Sequence, residues 1–372
     1  MKVGLITYGL DRPLTGIGRY TIELAKALSK LTDGPEITLL QAGSSGRLEE
    51  AVFNRVSLPG CRLLPGLMTL GNFYLPWLAR RLNLDVIHDP NGVAPFLFGA
   101  GPAKTVLTLH DVFPWSFPGT SPLLEIIIYK HWLPMVIGRM NAVITPSQHS
   151  RTDILNYLTV SSKRLSVIHY GMTAGFHPLP KKEVKQHLAE RFGWSAPYIL
   201  YVGAIEPRKN IGRLIEAFAD LAKEYPRMKL VLAGPRRGEQ KSVDSVLTRR
   251  KVFDRVVFTG PIVELTELYN GCELFVFPSL YEGFGMPPLE AMACGAPVVC
   301  SDTSSLPEVV GDAACLVSPL DTRALAAAMR EVLSNSRLRR GLRKKGLERS
   351  HAFSWERNAA ETMDVYRKVV YH

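Results

Sequence analysis

The 372-residue chain has no CxxC pair and no cysteine spacing that suits a metal. Its five cysteines, Cys61, Cys272, Cys294, Cys300 and Cys315, stand apart. Four of them lie in or beside apolar, strand-like stretches, the setting of buried thiols in a reducing compartment rather than of a disulfide framework. No run of about 18 uninterrupted apolar residues occurs, so no spanning helix is expected. The apolar part of Met1–Gly9 is too short for a signal-peptide core. A cytoplasmic protein is the expectation, one that rests at most peripherally on the inner face of a membrane. No Asp-x-Asp triplet is present, and the spacing of His88, Asp89 and His110 matches no metal signature, so no metal site is predicted. A dinucleotide fingerprint is incomplete: Gly16-Ile-Gly18 is followed by Thr21 where a third glycine belongs, and Gly9–Thr15 separates it from the first strand. NAD binding is therefore disfavoured.

What is present describes two globular domains. Hydrophobic residues make up 46% and charged residues 21%, enough apolar material for two cores in a chain of this length. The net charge is +11, with 16 basic against 11 acidic residues in 1–180 and 29 against 23 in 181–372. An excess shared by both halves fits simple solubility, or attraction to a nucleotide, a phospholipid surface or nucleic acid. No aromatic platform motif supports the last of these.

Short β-branched runs alternate with longer amphipathic segments. Strands are predicted at 2–8, 36–41, 85–88, 104–109, 141–144 and 165–168, with helices at 17–31, 70–82, 121–139 and 147–157. Gly175–Lys182, with two prolines and a charged end, reads as a linker. The rhythm restarts with strands at 198–203, 228–233, 255–258, 273–277, 297–300 and 314–317. Helices at 210–224, 242–250, 263–270, 287–294 and 321–333 fall between or after them. A last amphipathic helix spans about 354–370, with Ser354 as its N-cap. This βαβ order predicts an α/β protein of two Rossmann-like, doubly wound parallel-sheet domains facing a cleft. The predicted divisions are 1–178, 179–353 and a C-terminal helix, 354–372, packing back on the first domain.

Four motifs stand where parallel sheets bind ligands, at strand carboxyl ends. Gly16, Gly18 and Arg19 open the first helix, where unpaired N–H groups favour an anion, although glycines there also serve a loop's dihedrals. Leu109-His110-Asp111 ends a strong strand, and His110 reads either as a structural residue or as a hydrogen-bond donor or proton shuttle near neutral pH. Arg208 and Lys209, in Gly203-Ala-Ile-Glu-Pro-Arg-Lys-Asn210, follow a buried strand and precede an Asn N-cap. Arg suits bidentate contact with a diphosphate and Lys a point charge, unless both belong to a solvated turn. Finally, Glu282-Gly-Phe-Gly-Met-Pro-Pro-Leu-Glu290 sets two carboxylates eight residues apart across a glycine loop and a proline-led helix start. Acceptors on both sides of exposed backbone donors suit a sugar–diphosphate–ribose molecule. Glu290 is placed in that helix's first turn, and the bland alternative is that it merely complements the helix dipole.

The last run resembles the E(x)7E motif of retaining glycosyltransferases of family 4, which have GT-B architecture. Gly203–Asn210 looks like that family's phosphate loop, Val167-Ile-His-Tyr-Gly171 is similar to its domain-end motif, and Gly16-Ile-Gly18 to its N-terminal glycine loop. The resemblance implies that Glu290 binds the donor ribose, that Glu282 contacts the donor sugar, and that Lys209 with Arg208 binds the diphosphate. It implies that the amides of Gly283, Phe284, Gly285 and Met286 hold sugar hydroxyls and phosphate. It places His110 near the transferred sugar, and Gly16, Gly18 and Arg19 along the acceptor side. Two departures stand out: Ala204 occupies a place where many relatives carry Arg, and Tyr170 replaces the usual Asn. Without a metal, cations and amides would stabilise the leaving group.

The implied activity is hexose transfer from a nucleotide-sugar to a glycan or lipid-linked acceptor in cell-surface polysaccharide synthesis. No cofactor is expected besides that donor substrate. The Glu-Pro-Arg-Lys-Asn loop resembles that of mannosyltransferases and favours GDP-mannose over a UDP-sugar. Competing readings are a GT-B nucleotide-sugar epimerase, a phosphorylase, which would need a cofactor lysine that cannot be nominated, and a binding module without turnover. The mixed apolar, aromatic and basic segments 61–81 and 121–140 suit either a membrane surface or helices packed on the sheet.

Overall fold

The computed structural model describes residues 1–10, 15–43, 48, 53–117, 119, 123–194, 196–238 and 240–371. Residues 11–14 of the loop before the first helix, residues 121 and 122 of the predicted 121–139 helix, and His372 lie outside these.

The chain divides into two compact units, Met1–Gly171 with Ser354–His372, and Met172–Phe353. The first holds a seven-stranded sheet of β1 (Lys2–Tyr8), β2 (Glu36–Ala42), β3 (Asn54–Ser57), β4 (Val86–Asp89), β5 (Lys104–Thr108), β6 (Ala142–Thr145) and β7 (Leu165–Val167). Its order is β3-β2-β1-β4-β5-β6-β7, with every pairing parallel. Successive strand residues point to opposite faces. Leu5, Val86, Val106 and Ile144 accordingly enter one apolar cluster, while their neighbours Ile6, Ile87, Leu107 and Val143 enter another. Both faces are covered, which is why these strands read as continuous apolar runs. The final helix, Trp355–Tyr371, sends Trp355, Ala359, Met363 and Tyr366 into the same cluster as Leu24 and Leu28 of the helix Gly16–Ser29. Ser354 caps it, its Oγ accepting from the Arg357 N–H at 3.1 Å.

The second unit has a six-stranded parallel sheet of β8 (Tyr198–Val202), β9 (Lys229–Ala233), β10 (Val256–Gly260), β11 (Leu274–Phe277), β12 (Val298–Ser301) and β13 (Cys315–Val317). Its order is β10-β9-β8-β11-β12-β13. Each sheet reverses its strand order once, between β1 and β4 in the first and between β8 and β11 in the second. Ligand crevices form at such switch points.

Three sequence readings are corrected. Residues 172–178 group with the second unit rather than the first. The Met172 N–H donates to Phe353 O at 3.0 Å, Thr266 Oγ1 donates to Gly175 O at 3.1 Å, and Asn270 Nδ2 donates to His177 O at 2.9 Å. The predicted 121–139 helix is not continuous. Helical Leu123–Ile127 passes into a π-helical turn, Ile128–Trp132, then Leu133–Val136 and a 3-10 turn, Ile137–Arg139. Pro134 has no N–H to return to Lys130, so the regular ladder breaks there. The strand Asn54–Ser57 and the helices Leu64–Thr69, Lys181–Phe192, Leu306–Val310 and Ser336–Ser350 had no counterpart in the pattern.

Candidate active site

At the second switch point, β8 is followed by Gly203, whose φ of +148° no side chain tolerates easily; a Cβ there would meet the Tyr201 hydroxyl at 2.7 Å. The loop that follows is tied down on one flank by the Ile205 N–H, which donates to Pro235 O at 2.8 Å. On the other flank it joins the loop after β11. The Leu280 N–H donates to Arg208 O at 2.8 Å, and Asn210 Nδ2 donates to Pro278 O at 3.0 Å and to Pro319 O at 2.8 Å. Asn210 stands before the helix Ile211–Leu221 as predicted, but its side chain does not cap that helix. Its left-handed backbone, φ 62°, accompanies the contacts with those two carbonyls instead.

The stitching brings three predicted residues together. Lys209 Nζ lies 2.5 Å from Glu282 Oε1, and Arg208 Nη1 lies 3.2 Å from Glu282 Oε2 and donates to Tyr281 O at 2.9 Å. Arg208 Nη2 reaches Glu206 Oε1 at 2.8 Å, adding a carboxylate that the sequence reading missed. Lys209 and Glu282 are both buried. Burial lowers the Lys209 pKa from its ordinary value, partly opposed by Glu282. Burial pushes Glu282 upward, but the Lys209 and Arg208 charges outweigh it and hold the carboxyl below its usual range. The result is a preorganised, charge-compensated cluster whose cations lie at strand carboxyl ends.

The glycine loop is shaped from behind by two serines that no motif announced. Ser304 Oγ accepts from the Glu282 N–H at 3.0 Å, and Ser305 Oγ lies 2.9 Å from Glu282 O and 2.6 Å from Phe284 O. Gly285 has φ +114°, and a Cβ there would meet Leu306 Cδ2 at 2.7 Å. The helix Met286–Ala293 begins immediately after, with Pro287 and Pro288 where their missing N–H groups cost nothing. Gly283, Phe284, Gly285 and Met286 thus form the loop and helix start, where backbone donors favour an anion. Glu290 is the fifth residue of this helix, beyond the predicted first turn, so complementing the dipole does not account for it. It is buried, and the Tyr269 hydroxyl donates to its Oε2 at 2.8 Å.

In the first unit, Thr15 Oγ1 accepts from the Gly18 N–H at 3.2 Å and starts the helix bearing Gly16, Gly18 and Arg19. Gly16 has no positive φ, and a Cβ there would meet nothing within 4 Å. Backbone dihedrals therefore do not demand this glycine.

His110 is buried at the end of β5, and both ring nitrogens are engaged. Nε2 donates to Pro90 O at 2.8 Å, which leaves Nδ1 to accept from the Tyr170 hydroxyl. Burial lowers its pKa to about 4, despite the bond to Pro90. A proton shuttle near neutral pH is therefore corrected to a fixed, neutral ring. His88 and Asp89 are structural. His88 bonds Tyr366 and Thr108 at 2.6 and 2.8 Å, while Asp89 accepts the N–H groups of Asn91, Val93 and Ala94. Among the described residues, no group of three His, Cys, Asp or Glu side chains could hold a metal ion.

Two nucleotide-fold sheets with a cation cluster and a carboxylate-flanked glycine loop at a switch point describe a GT-B sugar-transfer enzyme. Residues 14–174 match the family described as Glycosyltransferase Family 4, and residues 186–349 that described as Glycosyl transferases group 1. The chain is 31% identical to the O-antigen chain mannosyltransferase B of Escherichia coli, over 99% of this chain and 100% of that protein. The sucrose-phosphate synthase of Thermosynechococcus elongatus has the same fold, with a TM-score of 0.79 at 21% identity, covering 100% of this chain and 99% of the other. So does Anabaena HepE in complex with UDP-glucose, with a TM-score of 0.78 at 19% identity, covering 98% and 99%. The chain belongs to the group 1, family 4 glycosyltransferases, and is a hexosyltransferase.

Proposed function

We propose that the chain transfers mannose from GDP-mannose to a glycan or lipid-linked acceptor in cell-surface polysaccharide synthesis, with retention of configuration and without a metal. The observation that carries the site assignment is the buried Lys209–Glu282–Arg208 cluster beside the glycine-loop helix start. A diphosphate there meets two fixed cations and the amides of Gly283–Met286. As the glycosidic bond breaks, charge grows on the leaving phosphate, and groups already in place stabilise it without reorganising. Glu290, held by Tyr269, takes the ribose hydroxyls. Glu282 orients both cations and faces the sugar. In the first unit, Gly16 leaves room for the acceptor, Gly18 and Arg19 continue that wall, and His110 contributes a rigid neutral surface rather than a mobile proton.

The mannosyltransferase relative supports the sugar, and the UDP-glucose complex of HepE supports a nucleotide-sugar in general. A donor screen by released nucleotide, with and without lipid-linked acceptor and in excess EDTA, decides the matter. Acceptor-dependent release of GDP from GDP-mannose, undiminished by EDTA, is expected. Release from UDP-sugars alone overturns the donor, and loss in EDTA restored by a divalent ion overturns the metal-free mechanism.

A further inference from the structure

The helix Gly71–Leu82 buries Leu75, Leu78 and Ala79, while its outer stripe lacks cover. Phe73 and Trp77 on that stripe are 67% and 51% exposed, and Leu70 at its N-cap is exposed too. A second ring, that of Phe98, is 64% exposed and sits 5.7 Å from the ring of Phe73. The backbone of the preceding residue is anchored. The Leu97 N–H donates to Asn72 Oδ1 at 2.5 Å, and Arg139 Nη1 donates to Leu97 O at 2.7 Å.

The stretches of chain that carry these rings hold basic residues and no carboxylate. The sequence carries no acidic residue between Glu50 and Asp85, nor between Asp89 and Asp111. Arg62, Arg80, Arg81 and Arg139 are all exposed, and the Arg81 guanidinium lies 5.0 Å over the Trp77 ring. Aromatic rings beside arginines are the pattern of an interfacial surface, with rings at headgroup depth and cations on phosphates. A second copy docking through the same patch would set these arginines against themselves, which costs affinity.

We infer that this face, Leu70, Phe73, Trp77 and Phe98 ringed by Arg62, Arg80, Arg81 and Arg139, seats the first unit on an anionic lipid bilayer. This deepens the reading above, since a lipid-linked acceptor is met at such a surface. Vesicle binding needs neither donor nor acceptor, so it and transfer fail separately.

The test is sedimentation of the full chain with vesicles of phosphatidylglycerol and phosphatidylcholine in equal parts, against vesicles of phosphatidylcholine alone. Binding to the first and not the second, weakened by salt, is expected. Tryptophan emission shifts to the blue on binding, and Trp77→Phe binds but loses most of that shift. Phe73→Ser with Trp77→Ser, and separately Arg80→Gln with Arg81→Gln, each lowers the association constant roughly tenfold or more. Their thermal melts stay unchanged, because the substituted side chains are exposed. The inference is overturned if the wild type ignores anionic vesicles, or if both double variants bind like it. It is equally overturned if these variants abolish a concentration-dependent dimer, which would assign the face to a second copy.

Discussion

Tyr170 holds His110 in one tautomer: its hydroxyl donates to Nδ1, and Nε2–H is thereby committed to Pro90 O at 2.8 Å. Both residues also pack on Tyr20, with ring centroids 5.0 and 5.1 Å away.

Tyr170→Phe should raise the pKa of His110, since a bond donated to the bare nitrogen favours the neutral ring. Titration of the imidazole resonances by NMR measures this, with His110→Gln used to assign the signal. An unmoved pKa would mean that burial alone keeps the ring neutral.

Stability should fall on mild acidification. Burial lowers His110 to about 4 and His88 to about 3, His88 further by the nearby His110. The unfolded rings take up protons near pH 6.5, before the folded ones do, so the neutral rings stabilise the fold above that pH. That contribution is lost as pH falls from about 6.5 toward 4 and 3, at up to about 1.4 kcal/mol per unit for each ring. Buried Asp89, whose pKa is raised, opposes part of the loss. Denaturant melts from pH 7 to 4 should show the decline, and His88→Gln should flatten it. A flat wild-type profile contradicts the assignment.

Lys209→Met should cost both turnover and stability. Loss of a cation from the leaving group lowers the rate roughly 10²–10³-fold, by analogy with a lost oxyanion donor. Leaving Glu282 buried without its closest partner costs about 3–5 kcal/mol. The double variant Lys209→Met, Glu282→Gln should recover much of the melting temperature and none of the turnover. Recovery of both would show the pair to be architectural.

Glu290→Ala should weaken nucleotide binding about tenfold or more through lost ribose contacts. Tyr269→Phe should weaken it less, because the carboxylate remains but is no longer held. Calorimetry on folded variants measures both. Equal affinity in Glu290→Ala and wild type removes Glu290 from the donor site.

The strands were legible because both faces are buried: Tyr198–Val202 and Leu274–Phe277 read as unbroken apolar runs. Helices that offer little to a core were not. Lys181–Phe192 buries only Val184 and Leu188, and Ser336–Ser350 buries only Leu342, Gly346 and Ser350 among many cations. The edge strand Asn54–Ser57 has no buried residue to betray it. Arg208 with Lys209, and Glu282 with Glu290, were nominated one motif at a time. That Lys209 and Glu282 touch was beyond reach, because β9 and β10 lie between them in sequence but on the far side of β8 in the sheet. Glu206, Ser304, Ser305 and Tyr269 act by holding other groups, and such roles leave no spacing to recognise.

The first unit is made of two pieces, while the second is a single stretch between them. During synthesis, residues 1–171 emerge without Tyr366 to meet His88 or Trp355 to lie beside Tyr170 and Tyr20. Those partners are translated only after the whole second unit. The ribosome therefore delivers a complete Met172–Phe353 before it delivers a complete first unit, reversing the usual order in which the N-terminal domain matures first. Until then Leu24 and Leu28, which share a cluster with Trp355, Ala359, Met363 and Tyr366, lack the cover of the last helix.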